Sequence, residues 1–213
     1  MPSAPRLLTF DVFGTVIDWR RGLREALAAQ DVSLDDAAFD RVVDRQGELE
    51  QEVPFRKYRE ITRLSLQDVL GLDAAKADAV GAEVGAWPTY PESAAALRRM
   101  MTVAPCVATT NSDRAHGEQA QERLGFRLSG WICAEDVGCY KPDPKVWREA
   151  AARLGAELGP SWWHVSAYAD YDLAVANALG LTTVYVARPH ARPGAATLRV
   201  NDLAELATRV AGP

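Results

Sequence analysis

The stretch "LLTFDVFGTVIDWR", Leu7 to Arg20, decides the fold. An apolar run ends in a single acid, Asp11, and a turn carrying Gly14 follows it. Such a run reads as a buried strand, and in an open parallel sheet the ligand crevice lies at the carboxyl ends of the strands. Asp11 should therefore point into a crevice. The next side chain on the same face is Phe13, so the strand tip backs its one carboxylate with an aromatic ring and not with a second acid.

Outward from this strand, short β-rich runs alternate with amphipathic helical stretches, the pattern of a parallel sheet with crossover helices. The expected strands are 6–11, 106–111, 130–135, 163–168 and 182–188. Helical segments fall near 91–101, 114–125, 144–155 and 171–180, the first with Pro91 in its opening turn. A closing helix lies in "VNDLAELATRV", capped by Asn201 or Asp202. Residues 19–88 break the rhythm with four helical stretches in a row: 20–30, 35–51, 55–71 and 73–87. The expected organisation is an α/β core from 1–18 and 89–213, with 19–88 as an all-helical insert that roofs the crevice.

The 213 residues suffice for one core with a subdomain. A net charge of −5 without a basic stripe argues against nucleic-acid binding. Cys106, Cys133 and Cys139 form no CxxC pair and read as reduced thiols, with no zinc site expected. No 18-residue apolar run exists, and "MPSAPR" lacks a signal-peptide core, so a cytoplasmic protein without membrane association is expected.

The crevice collects several candidates. Asp11 either caps its turn or attacks an electrophile to form an ester. Lys141, in "CYKPDPKVW", is either a solvated charge or the cation that holds Asp11 in place. Thr110 and Asn111, ending "ATTN", either cap the next helix or donate to an anionic substrate. Ser166, Asp170 and Asp172 lie in "HVSAYADYDLAVANALG", at the end of the fourth strand and beyond it, and acids facing Asp11 need a metal or Lys141 to balance them unless one faces solvent.

Together, "FDVFGTVIDWR", "ATTNS", "CYKPDPKVW" and "HVSAYADYDLAVANALG" resemble, in order and spacing, the four motifs of the haloacid dehalogenase superfamily. The resemblance spans essentially the whole chain, and it is nearest to the (S)-2-haloacid dehalogenase branch. It implies a Rossmann-like core with a helical cap, no cofactor and no metal, and often a homodimer. Phosphatases of the superfamily carry a second Asp where this chain has Phe13. That acid protonates a departing alkoxide, whereas a halide leaves carbon without a proton, and the aromatic ring walls a compact apolar pocket instead.

The activity implied is hydrolysis of small 2-haloacids. Asp11 attacks C2 and expels the halide, and water then cleaves the aspartyl ester to give a 2-hydroxy acid. Backbone amides after Asp11, with Thr110 and Asn111, bind the substrate carboxylate. Lys141 orients Asp11, and Asp172 with Ser166 positions or activates water. The family's halide-binding arginine falls on Arg45, with Arg56 or Arg20 as substitutes. Two pocket positions depart from the family: Trp147 stands for a tyrosine and Tyr168 for an asparagine, and one extra residue separates Ser166 from Asp172. Three other readings stand beside this one: a magnesium-dependent phosphatase or phosphonatase-like hydrolase, a hydrolase opening strained cyclic amino acids of the azetidine-2-carboxylate type, and a binding module without activity.

Overall fold

A strand that is apolar on both faces needs covering on both, which places β1 (Leu7–Phe10) at the centre of a sheet. In the computed structural model, which describes residues 3–212, all four residues of β1 are buried. The expected core boundaries also take in residues 1, 2 and 213, which lie outside the described residues. The sheet has six parallel strands: β1, β2 (Cys106–Thr110), β3 (Gly130–Cys133), β4 (Trp162–Ser166), β5 (Thr182–Val186) and β6 (Leu198–Val200). Their spatial order is β3-β2-β1-β4-β5-β6. The chain runs outward from β1 to β3 and then returns to the other side of β1, so the strand order reverses at the tip of β1. That reversal opens a crevice where Asp11 stands.

Helices cover both faces. On one, Leu8, Phe10, Val165 and Val184 pack with α5 (Ser93–Met100) and α10 (Leu203–Ala211) through Leu97, Met100 and Leu206. On the other, Leu7, Val107 and Trp162 pack with α8 (Lys145–Leu154) through Val146 and Trp147. Asp202 makes the cap of α10, accepting from the Glu205 amide at 2.8 Å. The remaining crossover helices are α6 (Arg114–Leu124), α7 (Ala134–Val137) and α9 (Ala174–Ala178).

Between β1 and β2 come α1 (Trp19–Ala28), α2 (Asp36–Glu50), α3 (Tyr58–Leu70) and α4 (Ala74–Ala82), with no strand among them. A bridge between Ile17 and Thr89 brings the start and end of this excursion side by side. Asp18, Asp35 and Asp73 cap α1, α2 and α4 by accepting backbone N–H bonds. Trp19 packs edge-on to Phe39 at 5.0 Å between ring centres and lies 6.3 Å from the Trp87 ring, tying α1 to α2 and to the exit of the insert.

Several boundaries differ from expectation. The tail of the third strand turns into α7 after Cys133, and β6 is a three-residue strand too short for a sequence pattern to reveal. The stretch 73–87 divides into α4 and a 3₁₀ turn, Val84–Ala86. The helix after β4 opens as a π-helical turn over Ala169–Leu173, and α5 starts two residues after Pro91. The third insert helix begins at Tyr58, not 55, because its first amides are received from outside the insert. Asp113, at the start of α6, accepts from the Tyr58 and Arg59 amides at 2.8 and 2.9 Å. The same residue forms a capping box on α6 with His116, whose Nε2 donates to the Gly81 carbonyl at 2.9 Å.

One buried carboxylate therefore caps a helix of the insert and a helix of the core. Asp113→Ala should cost about 2–4 kcal/mol, two capping losses at about 1–2 kcal/mol each. Equilibrium urea unfolding checks this, with Asp113→Asn expected to recover part of the loss.

Candidate active site

Asp11 follows directly from β1, and its amide donates to the Val165 carbonyl at 2.9 Å, which fixes the strand tip against β4. Lys141 Nζ donates to Asp11 Oδ1 at 2.9 Å, and Thr15 Oγ1 donates to Oδ2 at 2.7 Å. Thr15 also accepts from the Ala167 amide at 3.0 Å, so the hydroxyl has one orientation available and its proton faces the carboxylate. Gly14 makes this turn possible. Its φ is +94°, and a Cβ placed there would lie 2.0 Å from Tyr168 Oη. The Val12 and Phe13 amides have no protein acceptor among the described residues.

Lys141 is fully buried and bridges two acids, reaching Asp172 Oδ2 at 2.7 Å as well as Asp11. The second oxygen of Asp172 lies 2.9 Å from His164 Nε2, and Nδ1 of that ring lies 2.8 Å from Thr9 Oγ1. Trp147 packs edge-on against His164, 5.5 Å between ring centres. Burial alone would raise Asp172, but Lys141 and His164 on its two oxygens hold it well below the usual carboxylate range. Burial pushes Asp11 the other way, and the Asp172 charge adds to the rise. Lys141 and Thr15 oppose it without cancelling it, so Asp11 sits above its ordinary value. For Lys141, burial favours the neutral amine, yet its two acid partners outweigh this and raise it.

These groups sit under a chamber of about 830 Å³ that Asp11, Phe13, Thr110 and Tyr168 line from the core and Trp19 and Glu50 line from the insert. Several sequence expectations need correcting against it. The chamber is neither compact nor purely apolar, since Glu50, Glu48, Glu52 and Arg192 share its walls with the aromatics. Arg45 does not reach it: the guanidinium donates to Asp68 at 2.8 Å and Glu48 at 2.9 Å on the outer face of α2. Arg56 and Arg20 are likewise held by surface acids. Trp147 is fully buried on the far side of His164 and lines core, not pocket. Ser166 accepts from the Tyr168 amide at 3.1 Å and makes no bond to Asp172, so the expected water-activating pair is not assembled. Asp172 acts on Asp11 through Lys141 instead. Asp170 faces outward to Arg192 at 3.3 Å.

Asn111 has a different task from the one expected. Its Oδ1 accepts from the Lys141 amide at 2.8 Å, and its Nδ2 donates to the Lys141 carbonyl at 3.1 Å. It clamps the backbone of the lysine and holds Glu50 with the same amide, at 3.2 Å. Thr110 lines the chamber, and its buried Oγ1 has no partner among the described residues. Three participants escaped the sequence reading. Thr15 stood within the quoted D-x-x-G-T pattern, whereas His164, inside an apolar strand, and Glu50, on a highly charged helix, carried no distinguishing signal.

A parallel sheet whose order reverses beneath a lysine-held aspartate, roofed by inserted helices, defines a capped α/β hydrolase. The haloacid dehalogenase-like hydrolase family model matches residues 5–163, and the chain belongs to that family. It is 27% identical to (S)-2-haloacid dehalogenase 4A of Burkholderia cepacia over 128 residues. The match covers 58% of this chain and spans about half the length of that relative, 54%. The L-2-haloacid dehalogenase PA0810 superimposes with a TM-score of 0.85 at 26% identity, covering 98% of this chain and all of the other. The defluorinating L-2-haloacid dehalogenase Rha0230 does so with a TM-score of 0.84 at 24% identity over 99% of each, a likeness of fold. No helix among the described residues is long and apolar enough to cross a membrane.

Asp172→Asn should destabilise the protein by about 3–5 kcal/mol at neutral pH, because it strips a buried lysine of one counter-ion. A carboxyl held below its ordinary value stabilises above its unfolded pKa, about 3.9, and that contribution disappears as pH falls toward the folded value. The gap between wild type and variant in urea unfolding should therefore narrow below about pH 4.

Proposed function

We propose that the protein hydrolyses small 2-haloacids through an ester on Asp11, with residues 19–88 acting as the cap over the reaction. The observation that carries this reading is the state of Asp11: a single carboxylate at the reversal point of the sheet, with each oxygen fixed by one donor and an aromatic ring in place of a second acid. A carboxylate so held loses little freedom on attack, which lowers the barrier to substitution at carbon. The identity to characterised haloacid dehalogenases supports the same chemistry.

The substrate carboxylate is received by the Val12 and Phe13 amides and by the Thr110 hydroxyl, the uncommitted donors nearest the strand tips. Attack through Oδ2 leaves Oδ1 as the ester carbonyl oxygen, still on the Lys141 ammonium. That ammonium then stabilises the negative charge that forms when water adds to the carbonyl carbon. His164 and Asp172 keep Lys141 charged and pointed at this oxygen. The magnesium-dependent alternative has little support in the donor set. Both oxygens of Asp172 are engaged by Lys141 and His164, and the space between Asp11 and Asp172 is filled by an ammonium group.

Halide release from (S)-2-bromopropionate should proceed undiminished in EDTA, and Asp11→Asn should abolish it while leaving the fold intact by circular dichroism. Loss of activity in EDTA with recovery on added magnesium would overturn the reading. Because burial raises Asp11, the acid limb of kcat/KM should fall at a higher pH than the value of about 3.9 for a free aspartate, with activity increasing as pH rises through it.

A further inference from the structure

The cap wall facing Asp11 holds an acid where a halide would call for a cation. Glu50, the last residue of α2, is half-buried in that wall. One of its oxygens accepts from Asn111 Nδ2 at 3.2 Å, and the other has no protein partner among the described residues. The same Asn111 side chain clamps Lys141, so Glu50 is tied to the catalytic lysine through one shared amide. The charged lining residues contribute two cations: Lys141, committed to Asp11 and Asp172, and Arg192, which is paired with Asp170 at the rim.

We propose that Glu50 is the acid–base residue of this chamber, protonating a basic leaving group as Asp11 displaces it and then accepting a proton from the water that opens the ester. The substrates this suits are 2-substituted acids that release fluoride, an alkoxide or an amine, as distinct from chloride or bromide. The proposal rests on the Asp11 ester. In the first step an Asp11 oxygen bonds to carbon, the electron pair of the breaking bond goes to the leaving group, and the Glu50 proton goes with it. Glu50 becomes a carboxylate. In the second step water adds to the ester carbonyl, one of its protons restores Glu50, and the other leaves on the product hydroxyl. Glu50 thereby takes over from the cap the role that a second aspartate would fill at Phe13.

The protonation state agrees with this use. Burial pushes Glu50 up to about 8, against the pull of Lys141 and the Asn111 bond, so the carboxyl carries a proton at neutral pH. The neighbouring phenols of Tyr58 from α3, Tyr140 beside Lys141 and Tyr171 after β4 are each raised by burial, with Glu50 adding to the rise, and are neutral throughout this range, while Asp44, Glu48 and Glu52 of the insert line the same chamber.

The test compares (S)-2-fluoropropionate with (S)-2-bromopropionate in the first turnover of the full-length enzyme, following halide by quench and the Asp11 peptide by mass spectrometry. Fluoride release by Glu50→Gln should fall by at least about 100-fold relative to bromide release. With the bromo acid the variant should release one halide and accumulate the Asp11 ester, which the wild type does not. In the wild type the first-turnover rate for fluoride should drop as pH rises through about 8, with no such drop for bromide. This pH comparison needs no variant and decides the matter should Glu50→Gln fold poorly. Equal loss for both halides with no trapped ester, or matching pH profiles for the two acids, would overturn the role of Glu50 alone. A wild-type enzyme that releases neither halide and forms no Asp11 adduct would overturn the nucleophilic reading and this proposal with it.

Discussion

One buried ammonium between two buried carboxylates governs the site. Lys141 is sealed from solvent, and a lone charge there would be driven neutral. Asp11 and Asp172 keep it charged, at about 4 kcal/mol for each charge pair near 4 Å at an effective dielectric of about 20, before desolvation is subtracted. Two acids share one cation, and the sharing is uneven because His164 supplies Asp172 with a second partner while Asp11 has the neutral Thr15 hydroxyl. Asp172 is thus the permanent anion, and Asp11 is left with the higher proton affinity. The asymmetry between the two acids is set by a residue on the far side of the lysine.

Much of this arrangement could be read in the sequence, and the parts that could not have physical reasons. Asp11, Lys141 and Asp172 were legible because each lies in the segment that leaves the carboxyl end of a strand, Asp11 directly, Lys141 beyond α7 and Asp172 in the turn after β4, so the topology of the sheet converges them. The parallel sheet and the run of helices over 19–88 followed from the same rhythm. Boundaries slipped where a local signal is shared between conformations: "GWICAE" carries strand-forming residues into a helix turn, and "LRV" is a strand only because β5 provides its partner. The chamber was harder. Residues 45 and 50 lie on one helix, five positions or about 140° apart around its axis, so Arg45 and Glu50 face opposite environments. Nothing in a helix this rich in charge says which side is roofed. Ser166 precedes and Asp172 lies within a π-helical turn after β4, Ala169–Leu173, a local geometry that the sequence pattern does not announce.

Phe13 and Glu50 taken together describe a division of labour between the two parts of the molecule. On the reading proposed above, the core supplies the attacking oxygen and its cation, and it has placed a ring where a proton donor would stand. On the same reading, the insert supplies the group that meets whatever departs. Chemistry at the leaving group can then vary with the cap sequence while the strand ends stay as they are.

The insert is joined to the core at several separate places. Asp113 grips the Tyr58 and Arg59 amides, the Tyr140 hydroxyl donates to the Arg56 carbonyl at 2.8 Å, and Lys57 pairs with Glu135 at 2.9 Å. All of these rivets fall within four consecutive residues. The His116–Gly81 bond, the Gln119 side chain on the Gly85 amide and the Ala82 carbonyl, and the Asn111–Glu50 bond fasten it elsewhere, and the turn after α2, where Val53 stands 91% exposed, borders the mouth of the chamber.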